Sequence, residues 1–270
     1  MSDQRKTGFI LAAGPNTLLS GQRFAVSTAM FILAAASWGF LVLMALEPLG
    51  SAGDVGTLSF SRPQPWDMTY FIATLIMWVV MMIGMMVPSV APTVLLYLAL
   101  QRQNHQENNR SYIPSALFLC GYLAAWGAFS LAATFAQWGL SAAALLSPAM
   151  EGTSTVVGGW LFIVAGIYQL TPLKSACLRQ CRAPADFLVN RRRSGTFGPF
   201  LMGIEHGIYC TGCCWLLMAL LFTFGVMNLL WVALLTIFVF VEKVAPAGAL
   251  FGRISSALMF GTGVALLAVG

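Results

Sequence analysis

Apolar residues fall along this chain in long, nearly unbroken runs: Phe24–Leu46, Thr69–Leu100, Tyr112–Gln137, Thr155–Thr171, Phe197–Leu221, Val226–Phe240 and Ile254–Val269. About 20 apolar residues cross the hydrocarbon layer as a helix. The pattern therefore predicts an all-α polytopic membrane helix bundle of about seven transmembrane helices. The second run is longer than one straight crossing needs, and Pro88 and Pro92 predict a kink in it. The last run is short and has Arg253 at its edge, so it either snorkels that arginine or inserts only halfway. The first run is longer than the core of a secretion signal, lacks a cleavage site, and reads as an anchor. Residues 1–23 read as a cytoplasmic N-terminal segment and 24–270 as a single transmembrane domain. Neither a solenoid repeat nor a heptad seam is visible.

Charge adds orientation. Only 9% of the residues are charged and 59% are apolar, where soluble domains carry about 25% charged residues. A soluble enzyme, a disordered tail and a fibrous protein are excluded. Of 14 Lys and Arg, all but Arg62 fall on one side of the seven-span arrangement. They are Arg5, Lys6, Arg23, Arg102, Arg110, Lys174, Arg179, Arg182, Arg191, Arg192, Arg193, Lys243 and Arg253. Basic residues stay on the cytoplasmic face, which predicts a cytoplasmic N-terminus and an outside C-terminus. The excess of +5 thus reads as topology and lipid contact. Basic residues interleaved with exposed aromatics are absent, so nucleic acid is not expected as a partner. The outer loops are too small to receive a large ligand on their own.

Candidate chemistry lies in sulfur. The six cysteines are Cys120, Cys177, Cys181, Cys210, Cys213 and Cys214, none in an outer loop, which argues against a structural disulfide framework. At about 100° per residue, His206, Cys210 and Cys213 share one stripe of the fifth span, with Cys214 beside it. Gly203, Gly207 and Gly212 let a neighbouring backbone approach that helix. Met77, Met81 and Met85 climb one face of the second span, with Met82 and Met86 on another. Met81 and Met85 are taken as candidate thioether ligands at a depth similar to the thiols. Cys177 and Cys181 stand four residues apart after Pro172, so a helix there would put both sulfurs on one face. Basic neighbours Lys174, Arg179 and Arg182 would favour the ligating thiolate.

Thiolate and thioether together select soft ions, copper(I) above all. Zinc ranks lower because it rarely takes a thioether, and Mg²⁺ or Ca²⁺ would need oxygen cages that the few carboxylates cannot build. Each feature also has a plain reading. Methionine fills cores, Cys120 alone reads as a small buried hydrophobe, Arg191–Arg193 reads as a topology or headgroup patch, and Glu242-Lys243 reads as an anchor of a helix end. Glu205, an ionisable residue inside a span, is a functional candidate by default.

Three stretches carry a resemblance. Trp78 to Pro92, with its methionines and prolines, Tyr168 to Arg182, with its two cysteines, and His206 to Trp215 followed by Leu-Leu-Met218 resemble signature blocks of the bacterial predicted metal-binding integral membrane proteins. Gly225-Val-Met-Asn-Leu229 and Glu242-Lys243 complete the pattern. The resemblance implies metal binding in the bacterial cytoplasmic (inner) membrane, without a known substrate or reaction. The leading expectation is a soft-metal binding, transfer or homeostasis protein, with metal residues Cys177, Cys181, His206, Cys210, Cys213, Cys214, Met81 and Met85. Whether it is an enzyme stays open. A membrane thiol oxidoreductase using Cys210-Thr-Gly-Cys213 is one alternative. A non-catalytic subunit beside a membrane-protein partner, or in an oligomer, is another. No Walker or phosphorylated-Asp motif is visible, which argues against ATP-driven pumping by this chain alone.

Overall fold

The computed structural model describes residues 21–46, 66–104, 113–146, 154–193, 195–244 and 248–269. The N-terminal segment up to residue 20, most of the loop with Arg62, and the loop with Arg110 lie outside the described residues. Ten of the 14 Lys and Arg fall on described residues.

The described residues are almost all helical. The elements are α1 (Gly21–Leu46), α2 (Met68–Asn104), α3 (Ile113–Ala142), α4 (Thr155–Gln169), α5 (Pro172–Arg182), α6 (Pro184–Asn190), α7 (Gly198–Ala219), α8 (Leu221–Phe224), α9 (Leu229–Val244) and α10 (Gly248–Val269). Among the described residues, five stretches are long and apolar enough to cross a membrane: in α1, α2, α3, α7 continued by α8, and α10. A sixth arises if α4 and α5, bent by 66° at their junction, count as one broken span. The remaining apolar run forms α9, whose 16 residues extend about 24 Å at 1.5 Å per residue. That is shorter than a bilayer's apolar layer of about 30 Å. The last helix begins at Gly248, six residues before the apolar run that predicted it, and takes Arg253 into its first turns.

α2 runs through both prolines as one helix. Pro88 has no N–H to give the carbonyl of Gly84, one turn back. The Trp38 indole of α1 donates to that oxygen at 3.3 Å. A bond lost inside one helix thus becomes a tie between two. Deeper in the bundle, Trp78 Nε1 of α2 donates to Gln137 Oε1 of α3 at 2.7 Å.

Small residues set the tightest contacts. A Cβ on Gly121 of α3 would overlap the Phe200 carbonyl of α7, and one on Gly203 of α7 would overlap the Phe118 carbonyl of α3. Gly159 of α4 and Gly263 of α10 meet in the same way, and Ser256 donates to the Gly166 carbonyl at 2.7 Å. Backbones this close gain dispersion that leucines would hold apart. The pair α3–α7 places the face of α7 that carries His206 and the cysteines inward.

The break before α5 is built from local signals. Thr171 caps α5 by accepting from Lys174 N at 3.3 Å, and Pro172 opens the helix at a position needing no N–H. What the apolar pattern gives as an inner loop, 172–196, is therefore largely helix, α5 and α6. α5 turns back to pack along α7. Gly225, at φ 94°, separates α8 from α9 in a conformation other residues rarely adopt.

Candidate metal centre

His206, Cys210, Cys213 and Cys214 all lie on the buried side of α7. Cys210 Sγ is the hub. The Tyr122 hydroxyl of α3 lies 3.0 Å from it, and Lys243 Nζ of α9 donates to it at 2.9 Å. Cys181 of α5 faces Cys210 and Cys213. Cys177, one turn earlier on α5, rests its sulfur against Gly212, where a Cβ would stand 2.9 Å away. Five of the six cysteines thus gather along the α5–α7 contact. Cys120 faces outward, exposed.

The thiols are turned onto the helix rather than toward a common point. Cys213 Sγ and Cys214 Sγ each donate to the Cys210 carbonyl at 3.0 Å. Among the described residues, no group of three or more His, Cys, Asp or Glu side chains is arranged to hold one ion. His206 is packed among the rings of Phe118, Tyr122 and Phe187 at centroid distances of 5.9, 6.0 and 5.0 Å. Its Nδ1 is buried without a hydrogen-bond partner. A buried polar atom left unpaired is costly, and a free imidazole nitrogen one turn from Cys210 suits a metal ligand.

The methionines Met77, Met81, Met82, Met85 and Met86 are all fully buried in α2. Met81 and Met85 belong to the packed core. The thioether connected to the thiol hub is that of Met86, whose Sδ lies 3.9 Å from Lys243 Nζ. Met86 also supplies a carbonyl to the Tyr122 hydroxyl at 3.4 Å and to Ser89 Oγ at 2.9 Å.

Sequence spacing missed three members of this neighbourhood: Lys243, Tyr122 and Ser89. Lys243 does not anchor a helix end at the surface. It is buried, and its Nζ reaches Ser89 Oγ at 3.0 Å besides Cys210. Its neighbour Glu242 is buried too and pairs with Lys174 of α5 at 2.8 Å, each side chain 2% exposed. Lys174 also bonds Gln169 Oε1. The cation facing the thiols is thus Lys243 and not Lys174, which its carboxylate partner holds. One signal was available. A Lys and a Glu adjacent in an apolar helix point about 100° apart, so they serve two different neighbours. Glu205 is satisfied near the surface by Arg191 at 3.0 Å and Arg193 at 3.2 Å.

A vestibule of about 500 Å³ opens beside α5, lined by Gln169, Lys174, Arg179, Arg182, Glu242 and Arg253 among others. It lies over the Lys174–Glu242 pair, on the flank of the helix that carries Cys177 and Cys181.

Residues 75–266 match the PpoB2 family, described as copper chaperone, and the chain belongs to that family. The matched stretch runs from α2 to α10 and includes every residue of the sulfur-lined neighbourhood. Comparisons with curated proteins and with solved structures find no significant match.

Proposed function

We propose that the protein is a membrane-embedded copper(I) binding and transfer protein. Cys177 and Cys181 of α5 exchange the ion at the cytoplasmic side, and His206, Cys210, Cys213 and Cys214 of α7 hold it within the bundle. The observation that carries this reading is the gathering of four thiols from two helices beside a buried imidazole nitrogen without a partner. The copper chaperone description of the family supports copper over zinc, as does a thioether next to the thiol hub. Loading requires Cys213 and Cys214 to leave the Cys210 carbonyl and rotate toward the ion. For a protein that passes copper on, a site that closes onto its own backbone when empty is serviceable.

In this reading the chain crosses the cytoplasmic membrane seven times with its N-terminus inside, and 24–270 form one domain. The seven spans are the five long stretches, the bent α4–α5 pair, and α9. The vestibule beside α5 is then the cytoplasmic approach to the cysteines.

The test is copper(I) titration of the purified protein against a chromogenic chelator, with elemental analysis. Wild type should hold copper(I) in fixed stoichiometry, and Cys210/Cys213/Cys214→Ser should lose it while eluting as the same monodisperse species. Equal stoichiometry in the two proteins would remove the intramembrane site from consideration.

A further inference from the structure

Lys243 stands where an incoming ion would have to go. Its Nζ lies 2.9 Å from Cys210 Sγ, 3.0 Å from Ser89 Oγ and 3.9 Å from Met86 Sδ. A buried ammonium normally takes a carboxylate partner. The adjacent carboxylate, Glu242, is turned to Lys174 instead. What surrounds the Lys243 head is the Cys210 sulfur, which accepts from it as the thiolate counter-ion, a thioether and a hydroxyl. A thioether is a weak acceptor for an ammonium but a good donor to a soft monovalent metal.

We infer that Lys243 is a displaceable internal cation: in the metal-free protein its ammonium stands between Cys210 and Met86, and copper(I) loads by exchanging places with it. The inference rests on the proposed function and adds to it a thioether donor, Met86, and a basis for ion choice. Two positive charges a few ångströms apart repel strongly in a low-dielectric interior, so metal and ammonium do not share the position. The exchange balances. The N–H···S hydrogen bond to the Cys210 thiolate breaks, a sulfur–metal bond forms at the same atom, and the ammonium departs with its three protons. No electron moves. At Cys210 one positive charge replaces another; Cys213 or Cys214 joins the ion only by releasing its thiol proton to water. The choice of ion comes from the sulfur donors, Cys210 and the Met86 thioether, which favour a soft monovalent metal.

The exit path follows from placement. Lys243 is in the last turn of α9, next to exposed Val244. A flexible four-carbon stem lets the head swing past the helix end toward water.

Amine acylation read by mass spectrometry tests this on the full-length wild-type protein, metal-free and after loading with silver(I) or copper(I). Lys243 should be protected in the metal-free protein and modified at least tenfold faster when loaded, with Lys174 unchanged as the internal reference. Metal bound at full stoichiometry with Lys243 still protected overturns the exchange and leaves the proposed function standing. No metal bound at all overturns both.

Discussion

At the residue scale, the two neighbours Glu242 and Lys243 divide their work between helices. Glu242 ties α9 to α5 through Lys174, and Lys243 ties α9 to α7 and α2 through Cys210 and Ser89. Removing one partner of a buried pair leaves the other charged in an apolar setting, which costs about 3–5 kcal/mol. Glu242→Gln should therefore lower the thermal midpoint of the purified protein clearly. Replacing both partners at once, Lys174→Met with Glu242→Leu, should recover most of the loss, because an apolar pair of similar volume avoids the desolvation cost. A double variant as unstable as the single one would mean the pair is not the source of the effect. His206 offers a separate check of the thiol site. His206→Phe keeps the ring packing against Phe118, Tyr122 and Phe187 but removes Nδ1. If that nitrogen binds the ion, copper(I) affinity should fall at least tenfold with stability nearly unchanged.

At the element scale, contacts between glycine faces decide how the cysteine-bearing helix is seated. Gly203→Ala on α7 would drive a methyl into the Phe118 carbonyl of α3, and overpacking of this kind costs about 1–3 kcal/mol. Gly127→Ala on α3 meets nothing within 4 Å, so its thermal midpoint should match wild type or exceed it, since alanine favours a helix. Equal effects from the two substitutions would contradict the packing described. The helices themselves were largely readable from the apolar runs, because the length needed to cross a membrane is written in how far each run extends. The bend before α5 was readable only in part. Thr171-Pro172 is a helix-start signal, yet the polar residues after it make the stretch read as a loop until α7 is there to receive its cysteines. In the thiol neighbourhood, the spacing within α7 put His206, Cys210 and Cys213 on one stripe. Tyr122 and Lys243 were invisible because they lie 88 and 33 residues from Cys210 along the chain. Helical periodicity says which residues share a face, but not which helix that face meets. For the same reason Met86, rather than Met81 or Met85, meets Lys243.

At the scale of the whole molecule, α9, with 16 residues, is shorter than each of the five stretches long enough to cross a membrane. One side carries Leu230, Leu234, Ile237, Val241 and Val244, all exposed. The other carries Val232, Leu235, Val239, Glu242 and Lys243, all buried. If that outer stripe meets acyl chains, the lipid leaflets beside α9 must pinch inward to match it, at a modest cost for each ångström of mismatch. Reconstitution into phosphatidylcholines of increasing chain length should then show a thermal midpoint highest in the shorter lipids. A midpoint that rises steadily with chain length would argue that α9 is shielded from lipid. Lys243 sits at one end of that short helix. On the exchange inferred above, bilayer thickness would become a lever on how easily its amine reaches water, and membranes of different composition would shift the balance between the metal-free and loaded forms.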